Sequence, residues 1–168
     1  LGINIGPNKD TENRLNDYIE CLKTFYEVAD YITINISSPN TEDLRSFHEQ
    51  NKLNELLETI NKEKKSLNVK TPIVVKVSPD IDNQEIDKIS EVLLSNNVEA
   101  IVISNSSDST RDELKNIQGH QKGGLSGKPI EKKSNFLINK FYKILNGRIK
   151  IIGVGGVDSG ESAYEKFL

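Results

Sequence analysis

Apolar residues gather in five short runs, Leu1 to Ile5, Tyr31 to Ser37, Ile73 to Ser78, Ala100 to Asn105 and Ile149 to Val154, each rich in isoleucine or valine. Their length and β-branched content predict strands. Between them, Leu15 to Val28, Leu53 to Lys65, Ile86 to Leu94 and Lys133 to Leu145 repeat apolar side chains at helical spacing, and a further helix opens at Ser159. Strand and helix alternate throughout, and no two strands are joined by a hairpin signal. The expected fold class is therefore α/β, and runs with few polar breaks predict parallel strands covered on both faces. The charged stretches Asn61 to Lys65 and Glu131 to Lys133 are expected on solvated helix faces. Neither a linker nor a repeat divides the chain, so residues 1–168 read as part of one domain.

Polar residues stand at the C-terminal ends of these strands: Asn4, then Asn35 with Ser37 and Ser38, then Lys76 with Ser78, then Asn105 with Ser106. An unpaired buried amide costs about 1–3 kcal/mol and an unpaired ammonium more, so Lys76, set between Val75 and Val77, calls for an anionic partner. In a (β/α)8 barrel the C-terminal strand ends converge on one opening, where sites on that fold are built. Such a barrel takes about 250 residues. The chain has 168, so either the fold is smaller than a barrel or it is an incomplete TIM barrel with about five of the eight strands.

Two glycine-rich stretches, Gly123 to Gly127 and Gly153 to Gly156, each lead toward a helix, the second with Ser159 placed to cap it. Glycine lets backbone N–H groups approach an anion, and helix N-termini favour negative charge. On late strands of a barrel the two stretches match a phosphate site.

Charge and composition narrow the partners. Lys plus Arg number 22 against 25 Asp plus Glu, a net charge of −3 without a basic stripe, so no nucleic-acid partner is expected. Cys21 is the single cysteine, and His48 and His120 stand apart, so no metal site is expected and a reducing compartment fits. The apolar runs fall far short of the roughly 20 residues of a spanning helix, and Leu1 lies inside a predicted strand rather than a leader. The segment is read as soluble.

The motif Asn35-Ile36-Ser37-Ser38-Pro39-Asn40-Thr41, followed by Leu44-Arg45, closely resembles the substrate loop of dihydroorotate dehydrogenases. Leu1-Gly2-Ile3-Asn4-Ile5-Gly6 with Asn8-Lys9 is similar to the family's flavin-contacting strand, and Val75 to Asp80, Gly123 to Pro129 and Ile151 to Val157 follow in the family's order. Serine at position 38, where the class 1 enzymes carry cysteine, resembles the quinone-linked class 2 enzymes. Asn105-Ser106-Ser107 departs from the family's Asn-Thr-Thr, and the stretch Asp108 to Asp112 departs as well. Ser106 keeps the hydroxyl but lacks the methyl that fixes a threonine rotamer.

The resemblance implies oxidation of dihydroorotate to orotate in pyrimidine (UMP) biosynthesis, with FMN as hydride acceptor and a quinone as the final acceptor. It implies Ser38 as the catalytic base with Thr41 in its proton relay, and Asn35, Asn40, Asn105 and Ser106 as substrate ligands. FMN is implied to meet Asn4, Asn35, Lys76, Ser126, Gly127, Gly155 and Gly156. The implied whole protein sits peripherally on the cytoplasmic side of a membrane and reaches quinone through a region outside this segment. Two other readings stay open at this point: a phosphate-binding barrel of different chemistry, and a truncated remnant without activity.

Overall fold

The computed structural model describes residues 1–168 except 42, 110, 112 and 113, and the side chains of 118 and 120; Asp112 and the His120 side chain thus lie outside the described residues. Among the described residues, five strands alternate with five helices: β1 (Gly2–Ile5), α1 (Arg14–Phe25), β2 (Tyr31–Asn35), α2 (Gln50–Ser66), β3 (Ile73–Val77), α3 (Asn83–Ser95), β4 (Ala100–Ile103), α4 (Glu131–Leu145), β5 (Lys150–Gly153) and α5 (Gly160–Glu165). Short 3-10 turns lie at Leu44–His48, Ile117–His120 and Lys128–Ile130. No described helix is long and apolar enough to cross a membrane.

The sheet order is β1-β2-β3-β4-β5, and every neighbouring pair is parallel. A doubly wound sheet reverses its strand order at a switch point. Here the order never reverses, and right-handed crossovers then place every helix on one face, as in the wall of a TIM barrel. The helix-covered face joins Ile32, Ile34, Val75, Ile101 and Ile103 to Leu22, Leu57, Ile89 and Phe141 in one buried core.

The register decides what the opposite face carries, because side chains alternate along a strand. Asn4 is level with Thr33, Thr33 with Val74, and Val74 with Ala100. One step further on, Asn35 is level with Lys76, and Lys76 with Val102. Val74, Ala100 and Val102 form their own small apolar cluster, separate from the helix side. Asn4, Asn35 and Lys76 thus occupy the helix-free face, the one that lines a barrel's interior.

Three expectations need correcting. Burial on both faces holds for β2, β3 and β4, but β1 and β5 are outermost and half-open: Ile152 and Val154 are exposed, and an apolar groove of about 850 Å³ runs along β5 between Ile138, Tyr142, Val157 and Phe167. Ser37 and Ser78 lie beyond their strands, because their polar groups serve turns instead of the ladder: the Ser37 N–H donates to Asn35 Oδ1 (3.2 Å), and Ser78 Oγ accepts the Asp80 N–H (3.0 Å). Asn61 and Lys64 are only partly exposed, since Asn61 Nδ2 donates to the Asn96 carbonyl (3.0 Å) and the largely covered Lys64 lies 3.7 Å from Glu99. The capping expectation at Ser159 is met: its Oγ accepts the Ser162 N–H at 3.0 Å, and Ser162 Oγ accepts the Ser159 N–H at 2.9 Å.

Candidate active site

Asn35 closes β2 at the centre of a web of side chains. Its Oδ1 accepts from the Ser37 hydroxyl (2.8 Å) and from Asn105 Nδ2 (3.4 Å), and the same Nδ2 donates to Ser37 Oγ (3.0 Å). Asn105 Oδ1 in turn accepts the Ser106 N–H at 2.8 Å. Residues 70 positions apart are thereby held as one group. Beneath them the buried Tyr18 hydroxyl of α1 donates to the Asn35 carbonyl (2.8 Å), while its ring meets Phe47 edge-on at 5.9 Å. Burial raises the Tyr18 pKa well above the usual phenol range and keeps it a donor.

Ser38 follows this web in a turn in which its Oγ accepts the Asn40 N–H at 3.2 Å. An N–H aimed at a hydroxyl oxygen favours loss of the hydroxyl proton, because it stabilises the charge that develops. Pro39 and Asn40 line a polar cleft of about 660 Å³ together with Lys9, Asp108, Arg111 and Lys122. The first glycine stretch closes this end of the cleft: a Cβ on Gly124 would lie 1.9 Å from Ser106 Oγ and 3.2 Å from Pro39 Cγ, so only glycine permits the approach. Ser107 and Leu125 exchange backbone hydrogen bonds (2.9 and 2.6 Å), which tie the loop after β4 to the stretch leading into Ser126 and Gly127.

The second glycine stretch packs on the start of α4. A Cβ on Gly156 would lie 2.4 Å from Glu131 Cβ, and Gly155 and Gly156 both have positive φ (119° and 77°). Lys128, one residue after Gly127, reaches Asp158 at 3.3 Å. The two stretches therefore converge on one helix start. Among the described residues no acceptor takes the N–H groups of Ser126, Gly127, Gly155 or Gly156. Lys76 has no carboxylate partner there either, and burial lowers its pKa. Asn4 is exposed, and neither it nor the Thr41 side chain is hydrogen-bonded to the web.

Two features escaped sequence reasoning. Lys133, expected on a solvated helix face, instead pairs with the Asp80 carboxylate, whose side chain is only 7% exposed. His48, read as an isolated histidine, is 3% exposed, with its Nδ1 2.9 Å from the Arg45 carbonyl and its Nε2 accepting the Ser78 N–H at 3.3 Å. Only a neutral ring protonated on Nδ1 satisfies both bonds. No sequence signal pairs these residues, because their partners lie 53 and 30 positions away.

The profile of the family described as dihydroorotate dehydrogenase matches residues 1–168. The chain belongs to this family. A protein of Acinetobacter baylyi named dihydroorotate dehydrogenase (quinone) is 44% identical over 173 aligned positions, covering 99% of this chain and 52% of that protein. A Wigglesworthia glossinidia brevipalpis protein of the same name is also 44% identical, over 99% of this chain and 51% of its own length. The crystal structure of the Eimeria tenella dihydroorotate dehydrogenase in complex with ferulenol superposes with a TM-score of 0.94 at 31% identity, over 99% of this chain and 49% of that one. The chain thus spans about half the length of the family members it matches. Their TIM-barrel architecture agrees with the unreversed sheet order, so these residues form part of a dihydroorotate dehydrogenase barrel.

His48 gives the family's barrel wall a pH dependence in this chain. Burial, aided by the Arg45 guanidinium and opposed by the Arg45 carbonyl, pushes its pKa from 6.5 down to about 4. The unfolded chain therefore binds a proton that the folded chain refuses between these values. Stability from this group is fully present above pH 6.5 and is lost as pH falls toward 4, by about 3 kcal/mol in all. In the intact protein, Tm should fall over this window, and His48→Gln, which keeps a donor and an acceptor, should flatten the fall. Equal slopes for the two proteins would show that His48 does not titrate this way.

Proposed function

We propose that the intact protein oxidises dihydroorotate to orotate, with FMN as the first hydride acceptor and a quinone as the final one. The observation that carries this reading is the Asn35–Ser37–Asn105 web beside Ser38, with Lys76, which has no carboxylate partner among the described residues, level with Asn35 on the helix-free face. The relatives' names add the quinone.

The residues present fit FMN. The N–H groups of Ser126, Gly127, Gly155 and Gly156, without an acceptor among the described residues, suit a phosphate at one helix start, and the Lys76 ammonium, without a described carboxylate partner, suits a ring that gains negative charge. Asn4 and Asn35 share the face on which the ring would lie. Bound FMN supplies the hydride acceptor.

Everything else falls to the chain. The amides of Asn35 and Asn105, with Asn40 and Ser106, orient the planar substrate through its amide groups and carboxylate. Ser38 Oγ accepts the proton from a ring carbon and passes its own toward Thr41, three residues on. The Asn40 N–H supports the oxygen through that exchange. Lys76 fixes a positive charge where negative charge develops. Quinone access then places the intact protein peripherally at the cytoplasmic face of a membrane, through residues outside this segment.

The test is spectroscopic. The intact protein should be isolated yellow, lose its flavin absorbance when mixed with dihydroorotate without oxygen, and regain it with a soluble quinone. A colourless protein would favour a phosphate-binding barrel of other chemistry. A yellow protein that dihydroorotate does not bleach would overturn the substrate.

A further inference from the structure

Resting on that reading, we propose that Asp80 is a positioning residue that holds the Ser38 loop over the substrate by gathering three loops and a helix around one carboxylate. Asp80 Oδ1 accepts from the hydroxyls of Ser107 and Ser109, each at 2.6 Å, and from the Lys133 ammonium of α4. Its Oδ2 accepts the Asp108 N–H at 3.0 Å and lies 3.3 Å from Arg45 Nη2, an ion pair without hydrogen-bond geometry. Arg45 Nη1 donates to Asp108 Oδ1 at 2.7 Å, which closes a ring of charges.

Each arm of this cluster leads to the proposed site. Arg45 stands at the end of the loop that carries Ser38, Asn40 and Thr41, and the Leu44 N–H bonds back to the Thr41 carbonyl at 3.3 Å. Ser107 follows Asn105 and Ser106, and its backbone pairs with Leu125 just before Ser126 and Gly127. Asp80 itself lies four residues past Lys76. Burial opposes ionisation of this carboxyl, but the Lys133 ammonium, the two serine hydroxyls and the Asp108 N–H outweigh it and hold its pKa far below the usual range. The anion is therefore permanent at working pH, and the loops have a fixed centre to close on. None of these groups reaches the web of Asn35, Ser37 and Asn105 directly, so Asp80 acts on the reaction through the geometry it imposes.

Asp80→Asn keeps the shape and removes the charge that Arg45 and Lys133 answer. A displacement of about 1 Å at a reacting centre costs about a hundredfold. In the intact FMN-loaded protein, flavin reduction at saturating dihydroorotate should slow ten- to a hundredfold in Asp80→Asn, with reoxidation by quinone and FMN retention unchanged. Arg45→Gln leaves Asp80 with Lys133 and both serines, and should show the same split at smaller size; it decides the matter if Asp80→Asn does not fold. Asp80→Glu should restore part of the rate. Wild-type reduction rates in Asp80→Asn and Arg45→Gln would overturn the proposal, as would equal slowing of both half-reactions, which marks a merely structural role. If the wild-type flavin itself is not bleached by dihydroorotate, the proposed function fails instead, and the two failures are told apart.

Discussion

In the intact protein, Ser38→Ala is expected to slow reduction of the flavin by dihydroorotate by roughly a hundred- to ten-thousandfold, the usual contribution of a positioned general base. Reoxidation by quinone should stay near the wild-type rate, because that half-reaction needs no proton taken from the substrate carbon. The structure sharpens the expectation. Ser38 Oγ accepts one N–H, from Asn40, and lies next to a web whose own hydroxyl, that of Ser37, is already committed to Asn35 and Asn105. Ser37 therefore cannot stand in for its neighbour without breaking the group proposed to orient the substrate. Ser37→Ala should instead weaken substrate binding more than it slows the chemistry at saturation. Stopped-flow measurement of the two half-reactions separates these outcomes. Unchanged reduction in Ser38→Ala would remove the base assignment.

How far the sequence was legible follows from where each interaction runs. The strands and helices were readable because Ile- and Val-rich runs such as Ile73–Val77 and apolar spacing such as Leu53, Leu56, Leu57 and Ile60 are local patterns, and both reappear as expected. The barrel arrangement followed from alternation and from polar strand ends, and the register now shows why Asn4, Asn35 and Lys76 belong together: they share the face without helices. The motif residues Asn35 and Asn105 were named one by one, but their union through Ser37 Oγ is a tertiary fact. The same holds for Asp80. Its partners at positions 45, 107, 109 and 133 carry no common period, and a lysine in a charged helix segment looks solvated until the fold lays α4 against the loop after β3. His48 was hidden for a related reason, since its acceptor role depends on the Ser78 N–H from another strand end.

Lys76 is the place where the sequence asked for something that the described residues do not supply. A lysine near the C-terminal end of the apolar strand β3 called for an anion, yet its neighbours by register are Asn35 and Val102, and no described carboxylate pairs with it. Burial lowers its pKa, so the ammonium is held at a cost that a bound anionic ring would offset. Replacing it should therefore be felt in the cofactor before it is felt in the fold. Lys76→Met keeps much of the side-chain volume and removes the charge, and Lys76→Ala removes both. Both variants of the intact protein are expected to lose FMN on dilution, and the flavin that remains should have a lower reduction potential, by roughly 30 mV for each 1.4 kcal/mol of charge stabilisation lost. Thermal stability without FMN should rise in Lys76→Met, because the desolvated charge is gone and the packing is kept. A potential unchanged in both variants would mean that the ammonium faces away from the ring, its stem lying along the strand with its head in water. A lowered potential in Lys76→Ala alone would assign the effect to shape. Only a fall in both, with apo-protein stability moving the other way in Lys76→Met, identifies the unpaired charge itself as what β3 contributes to the cofactor.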